Sequence, residues 1–122
     1  MSRRQRQVSQ AIRREISDLL THQINDPRIK GIISVTEVKI SPDLTHARVF
    51  VSAMGTEEER TEVFAGLAAA LGFLRRELGA RLRLRYTPEL VFERDDSIER
   101  GEHLLELIDR VTADIPGKQD QK

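Results

Sequence analysis

The sequence contains no cysteine, no tryptophan, one tyrosine and four phenylalanines among its 122 residues. Without cysteine the chain can form no disulfide, has no thiolate nucleophile and cannot bind zinc through sulfur. This absence agrees with a reducing compartment. The scarcity of aromatic side chains also argues against extensive stacking on nucleic-acid bases.

Long apolar runs are missing as well. No stretch approaches the roughly 20 apolar residues that span a bilayer. The basic start, Arg3-Arg4-Gln5-Arg6, is not followed by the apolar centre of a signal peptide, because polar residues separate Val8 from Ala11. We therefore expect a soluble, cytoplasmic protein that does not associate with a membrane. A chain of 122 residues favours one domain.

The formal net charge is zero, but the charges are unevenly distributed. Basic side chains prevail in residues 1–30 and 73–88, whereas acidic side chains prevail in residues 89–122. A locally positive surface can attract phosphate even when the whole molecule is neutral. The candidate RNA-binding residues are the basic residues of the first two regions: Arg3, Arg4, Arg6, Arg13, Arg14, Arg28, Lys30, Arg75, Arg76, Arg81, Arg83 and Arg85.

The hydropathy pattern predicts the first three elements. Apolar residues recur at helical spacing as a stripe running from Val8 to Gln23, which predicts a helix over about residues 4–23. β-Branched residues predict a strand over residues 31–40, and alternation predicts a second strand over residues 47–53. The short turn between the two strands indicates an antiparallel hairpin.

The second half of the chain continues with helices and one strand. Thr56-Glu57-Glu58-Glu59 has the form of a capping box and opens a helix that is interrupted at Gly72. Leu90-Val91-Phe92 predicts a third, largely buried strand, and Asp96-Ser97-Ile98-Glu99 predicts the cap of a last helix. The order α-β-β-α-(kink)-α-β-α implies an α+β fold, with one three-stranded sheet and helices packed on one face. Residues 1–113 form the predicted domain and residues 114–122 a flexible C-terminal tail.

Two segments each allow two interpretations. The small residues at Ala70-Leu71-Gly72 either pack a helix closely on the sheet, or form a kink where the N-terminus of a second helix faces phosphate. Residues 81–85 either extend the helix or begin the strand, and Arg81 and Arg85 share a face in both cases. These arginines either contact RNA or pair with the acidic C-terminal helix.

The chain shows no pattern typical of catalysis. His22, His46 and His103 lack the spacing of metal ligands, and no glycine-rich phosphate loop is present. The carboxylates of residues 57–59 and 95–96 fall where helix starts favour negative charge. We therefore expect no metal, no cofactor and no enzymatic activity. The alternatives are a small α+β enzyme, a DNA regulator, and a module that binds proteins through its acidic last helix.

Several short segments are informative through their order and spacing. They are Asp26-Pro27-Arg28, Val38-Lys39-Ile40-Ser41-Pro42-Asp43-Leu44, Ala47-Arg48-Val49-Phe50-Val51, Gly72-Phe73-Leu74-Arg75, Leu78-Gly79, Arg83-Leu84-Arg85, Pro88-Glu89-Leu90, Asp95-Asp96-Ser97-Ile98 and Gly101. Together with the arginine-rich first helix, they resemble the bacterial ribosome-binding factor A family over about residues 3–112.

The resemblance implies a type II KH-like fold in which Ala70-Leu71-Gly72 replaces the usual Gly-x-x-Gly loop. It also implies binding to the free small (30S) ribosomal subunit and its 16S rRNA, with a role in late maturation, in processing of the rRNA 5′ end and in cold adaptation. Nucleases and assembly GTPases would act alongside. We expect a monomer whose arginines neutralise rRNA phosphates while the kink fits a folded RNA surface.

Overall fold

The order of helices and strands follows the predicted order as far as residue 97. The structure, a computed structural model, describes residues 2–29 and 31–97. Lys30, the predicted last helix and the predicted tail lie outside the described residues. The six elements are α1 (Arg3–His22), β1 (Ile33–Ile40), β2 (His46–Ala53), α2 (Glu57–Ala69), α3 (Leu71–Leu82) and β3 (Glu89–Arg94).

The three strands form one mixed sheet in the order β1-β2-β3. β1 and β2 form the predicted antiparallel hairpin, and β3 pairs in parallel with the other side of β2. The central strand, which the sequence pattern does not identify, is therefore β2. Its alternate residues Ala47, Val49 and Val51 are fully buried, as the alternation predicts.

The helices cover one face of the sheet and complete a single apolar core. Ile12, Ile16 and Leu19 of α1 are fully buried, whereas Gln23 is exposed because α1 ends at His22. The predicted stripe is therefore wrong in its last member. The other buried core residues are Val35, Val38, Ile40, Ala47, Val49, Val51, Ala53, Val63, Leu67, Leu74, Leu78 and Leu90.

The third strand is less buried than its sequence suggests. Leu90 is 3% exposed, but Val91, on the opposite face of β3, is 50% exposed. Within residues 2–29 and 31–97 the helices lie on one face of β3 only, so the expectation of a largely buried strand is wrong. An edge strand buries every second residue, so a short apolar run overstates its burial.

Helix α1 also protects the exposed edge of β1. Its Gln5 Nε2 donates to the carbonyl oxygen of Ile40 at 3.3 Å, and its Arg13 Nε donates to that of Val35 at 3.3 Å. The carbonyl groups of an edge strand are otherwise free to pair with another chain. Gln5 has a second role, because it forms a capping box with Ser2 that begins α1.

The predicted cap of α2 is present, and it is joined to the end of β3. Thr56 and Glu59 form the reciprocal hydrogen bonds of a capping box. In the same turn, Glu57 Oε2 accepts a hydrogen bond from Arg94 Nη2 at 2.6 Å. Arg94 Nε donates to Asp96 at 2.8 Å. The acidic start of α2 therefore both caps the helix and holds the C-terminal end of β3.

Two helical glycines differ in how much they matter to packing. A Cβ at Gly66 would lie 2.7 Å from Cγ1 of Ile29, whereas the nearest atom at Gly72 is Nη1 of the flexible Arg76 side chain, at 3.4 Å. Both Gly→Ala changes gain helix propensity of about 1 kcal/mol, but overpacking costs about 1–3 kcal/mol. We predict that Gly66→Ala is less stable than Gly72→Ala by about 1–3 kcal/mol in urea unfolding. Equal stabilities would show that Ile29 moves freely.

Candidate nucleic-acid interface

The predicted kink is a one-residue corner between two helices. Ala70 alone separates α2 from α3, with φ −86° and ψ 0°. Its N–H donates to the carbonyl of Gly66 at 3.0 Å, and its own carbonyl accepts from the N–H of Leu74 at 2.9 Å. No side chain of residues 2–29 or 31–97 caps the N-terminus of α3. The first N–H groups of α3 therefore lack a capping partner at the positive end of the helix dipole.

Packing does not require the glycine of this corner. Gly72 is exposed, and the close approach to a neighbouring segment occurs at Gly66. The guanidinium of Arg76 lies beside Gly72, since its Nη1 would be 3.4 Å from a Cβ there. Arg76 is exposed and has no ion pair within residues 2–29 and 31–97. Of the two interpretations of Ala70-Leu71-Gly72, the structure favours an open junction with an arginine beside it.

The segment after α3 is neither a longer helix nor a longer strand. The helix ends at Leu82, and Arg83 adopts a left-handed conformation with φ 51° and ψ 41°. Arg85 lies in the loop that leads to β3. Arg81 therefore belongs to the last helical turn, and the three arginines do not share one continuous face. Neither alternative holds for the whole of residues 81–85: the helix extends through Arg81 and Leu82, and the left-handed Arg83 then redirects the chain.

Arg81 faces α1 and forms an ion pair there. Its Nη1 lies 2.7 Å from Oδ2 of Asp18 and 3.2 Å from Oε2 of Glu15. Hydrogen bonding from Arg81, followed by that from His22, lowers the pKa of Asp18 below its usual value. The pairing joins α3 to α1. Arg81 is therefore a structural residue and is poorly available to phosphate.

Arg75 holds the loop before β3 against α3. It donates from Nε to the carbonyl of Pro88 at 3.2 Å and from Nη2 to that of Thr87 at 3.1 Å. Its Nη2 also lies 3.4 Å from a carboxylate oxygen of Glu89. Arg28 is likewise engaged, because its Nη2 lies 2.8 Å from Asp26. Hydrogen bonds from Arg28 lower the pKa of Asp26 to about 2.

The remaining arginines are more available. Arg3, Arg4, Arg6 and Arg83 are exposed and have no carboxylate partner in the described part of the chain, and Arg14 is 70% exposed and 3.8 Å from Glu15. We call the following set the available arginines, of which Arg13 also donates from Nε to the carbonyl of Val35: Arg3, Arg4, Arg6, Arg13, Arg14, Arg76, Arg83 and Arg85. Lys30 lies outside the described residues.

In two small grooves, some of these arginines lie near residues that are distant in the sequence. One, of about 170 Å³, lies between α1 and β1 and is lined by Arg6, Arg13 and the buried Ser9, whose hydroxyl has no partner in the described structure. The other, of about 200 Å³, brings Arg4 of α1 beside Arg85 and Tyr86 of the loop before β3. Sequence spacing does not predict either meeting, since the segments are far apart in the chain.

The uncovered face of the sheet is charged but internally paired. Arg48 Nε lies 2.5 Å from Oε2 of Glu93, and hydrogen bonding from Arg48 lowers the pKa of that carboxyl. Lys39 and Arg48 both approach the ring of Phe50, at 5.4 and 5.1 Å from its centroid. This face therefore offers less free positive charge than α1 does.

Neither a metal centre nor a membrane span is found among the residues described. No three histidine or carboxylate side chains in residues 2–29 and 31–97 come together as a ligand set. His22 contacts Asp18, and His46 contacts Thr45, so these two histidines have other partners. No helix in the same ranges has the length and apolarity needed to cross a membrane.

Comparison with known proteins identifies the family. Residues 4–108 match the family model described as ribosome-binding factor A.

The chain belongs to the ribosome-binding factor A family.

Ribosome-binding factor A of Acetivibrio thermocellus is 49% identical, covering 93% of this chain and 92% of the relative. Ribosome-binding factor A of Microcystis aeruginosa is 50% identical, covering 97% of this chain and 93% of the relative. The predicted family resemblance is thus confirmed over most of the chain.

Solved structures of the family confirm the predicted fold class. The solution structure of a Thermotoga maritima protein assigned to ribosome-binding factor A has a TM-score of 0.69 and 34% identity, covering 81% of this chain and 93% of that one. A homology model of Thermus thermophilus ribosome-binding factor A, fitted into a cryo-EM map of a 30S complex, has a TM-score of 0.57 and 27% identity, covering 80% of this chain and 97% of that one. The helix and strand order is that of a type II KH-like domain.

The β1–β2 turn makes stability depend on pH. Hydrogen bonds from Thr45, then Ser41, lower the pKa of Asp43 from 3.8 to about 2. Because the folded pKa is depressed, the stabilisation is complete above the unfolded value and is lost as the pH falls from about 4 to about 2. We predict that the stability difference between the wild type and Asp43→Asn shrinks over that interval in urea unfolding. A difference that stays constant with pH would contradict this assignment.

Proposed function

We propose that this protein binds the free small (30S) ribosomal subunit through its 16S rRNA and assists late maturation, including processing of the 5′ end of the rRNA. The observation that carries the proposal is the family match over residues 4–108, together with a Thermus relative fitted into a map of a 30S complex. The available arginines support an RNA contact. The protein would act in the cytoplasm as a monomer, by binding and without catalysis, while assembly GTPases act alongside.

The available arginines supply the phosphate contacts in this proposal. Arg3, Arg6 and Arg14 belong to α1, a helix that is anchored to the sheet by three fully buried residues. A rigid helix fixes the spacing of its positive charges before RNA arrives. Contacts between arginine and phosphate release counterions, so binding should weaken steeply as salt rises. Arg28, Arg75 and Arg81 have intramolecular partners and serve mainly to position the surface.

The corner between α2 and α3 supplies a second kind of contact. The uncapped N–H groups at the start of α3 favour an anion, and the exposed guanidinium of Arg76 lies beside them. A phosphate can therefore be approached by backbone and side chain at once. The exposed Gly72 lets an RNA backbone come close to the helix. In this proposal the corner reads the shape of a folded rRNA segment, and the protein holds an immature conformation until the subunit matures.

The cellular test is gradient sedimentation of a lysate, with detection of the protein in the free small subunits, the whole ribosomes and the soluble fraction. We expect it with free small subunits, since assembly factors leave as the subunit matures. Presence on whole ribosomes, or on neither particle, would overturn the assembly function.

Removing positive charge from α1 should weaken binding to the small subunit and make the affinity less dependent on salt concentration. We predict that Arg3→Ala/Arg14→Ala lowers the affinity for purified small subunits and makes the dependence of log affinity on log salt less steep by about one for each lost phosphate contact. Arg48→Ala is the matched control, because Arg48 is exposed and paired with Glu93 on the uncovered face. Equal salt dependence in all three proteins would exclude Arg3 and Arg14 as phosphate contacts.

The corner is tested separately by Arg76→Ala. Arg76 has no intramolecular ion pair in the described ranges, so its loss should leave urea unfolding nearly unchanged while reducing the salt dependence of binding by about one. Arg76→Lys, which keeps the charge, should restore most of that dependence. Normal binding by Arg76→Ala would show that the corner does not approach phosphate. Arg81→Ala is unsuitable for this purpose because Arg81 joins α3 to α1.

A further inference from the structure

The larger of the two grooves that contain arginines has an exposed aromatic ring on its wall. The groove, of about 200 Å³, lies between the start of α1, the β1–β2 turn and the loop after α3. Val8, Leu44, Leu84 and Pro88 supply apolar wall, and Arg4, Arg85 and Tyr86 lie around it. This volume is below the roughly 300–1,000 Å³ of pockets for drug-sized ligands, so it suits one small flat group.

The side chain of Tyr86 lies at the surface, where a ligand can reach it, and not in the core. It is 73% exposed, and its hydroxyl has no hydrogen-bond partner among residues 2–29 and 31–97. The guanidinium carbon of Arg85 lies 5.6 Å from the centroid of its ring. The guanidinium thus lies over one face of the ring. Proteins stack unpaired bases on exposed aromatic rings, and a base would use the other face of Tyr86.

The loop that carries Tyr86 is fixed on its far side. Arg75 donates to the carbonyls of Thr87 and Pro88, and Pro88 is fully buried. Thr87 also packs closely on α3, since a Cβ at Gly79 would lie 2.5 Å from its Oγ1. The backbone that carries the ring is therefore held in place before a ligand arrives, which lowers the entropy lost on binding.

We infer that this groove binds one unpaired nucleobase of single-stranded RNA, with the base stacked on Tyr86 and the neighbouring phosphates at Arg4 and Arg85. The inference rests on the proposed function and adds to it a contact with a base. Neither arginine has a carboxylate partner in the described residues, which favours an anionic chain over a neutral apolar peptide. Asp43 also lines the groove, but its Oδ1 accepts hydrogen bonds from Ser41 and Thr45.

A single stacked base agrees with the composition. Few aromatic residues exclude a platform for successive bases, but one exposed tyrosine in a groove that two arginines also line serves one base. The bases of a duplex are stacked on one another and unavailable, so the groove selects a loop, a bulge or an end of the rRNA.

The amino-acid composition allows binding at Tyr86 to be measured by intrinsic fluorescence. The chain has one tyrosine and no tryptophan, so its intrinsic fluorescence reports Tyr86 alone. Titration of the full-length protein with a short oligoadenylate should quench this emission, whereas an abasic oligomer of the same length should bind the arginines without quenching. Binding of oligoadenylate with unchanged emission would overturn the inference. Quenching by an apolar peptide in place of the oligonucleotide would also overturn it and assign the groove to a protein contact.

Variants give an independent readout through the anisotropy of a labelled oligoadenylate. Tyr86→Leu should weaken binding about 5- to 150-fold, the effect expected for one stacked base, while Tyr86→Phe should bind like the wild type. Because Tyr86 is exposed, urea unfolding should change little in either variant. Wild-type affinity in Tyr86→Leu would overturn the inference.

The outcome separates this inference from the proposed function. If the wild type sediments with free small subunits but its emission does not respond to oligoadenylate, the base site is wrong and ribosome binding stands. If the protein sediments with neither particle and yet oligoadenylate quenches Tyr86, the groove binds a base, but the proposed function fails.

Discussion

The parallel pairing of β3 with β2 determines the path that the chain takes after the hairpin. A parallel neighbour cannot be reached by a tight turn, so the chain must cross the sheet between Ala53 and Glu89. The crossing consists of α2 and α3, whose apolar residues Val63, Leu67, Leu74 and Leu78 cover the sheet. This crossing places the corner between the two helices, and the loop that returns to β3, at the surface. Both carry the residues proposed to contact RNA.

Local sequence patterns predict the core and the order of helices and strands, because tertiary contacts do not override them. Alternation in residues 47–53 predicts β2, and the capping box at Thr56 predicts the start of α2, because both signals act between near neighbours. The position of β2 at the centre of the sheet was not predictable, since strand order depends on which apolar faces meet. For the same reason the run Leu90-Val91-Phe92 suggested a buried strand, whereas Val91 lies half exposed at an edge.

The candidate site was predictable in composition but not in detail. All five arginines of residues 73–88 look alike in the sequence, yet the structure separates them. Arg81 meets Asp18, 63 residues earlier in the chain, whereas Arg76 lies near its own helix start. A single sequence does not reveal such distant partners. The sequence does not single out Tyr86, because one exposed aromatic residue carries no periodic signal. Only the structure shows that Tyr86 and Arg4 line the same groove.

The one-residue corner at Ala70 also bears on how quickly the protein can recognise its target. The hydrogen bond from Ala70 to Gly66 closes the end of α2, and the one from Leu74 to Ala70 opens α3, so the change of direction is confined to the backbone angles of Ala70. Because α2 and α3 are both packed into the core on either side of Ala70, we expect the corner to keep its shape when RNA binds. If RNA binds here as proposed, recognition would need no prior rearrangement of the protein, and slow steps in association would come from the RNA. A rigid protein that selects one RNA conformer from an interconverting population would bind at a rate set by how often that conformer appears.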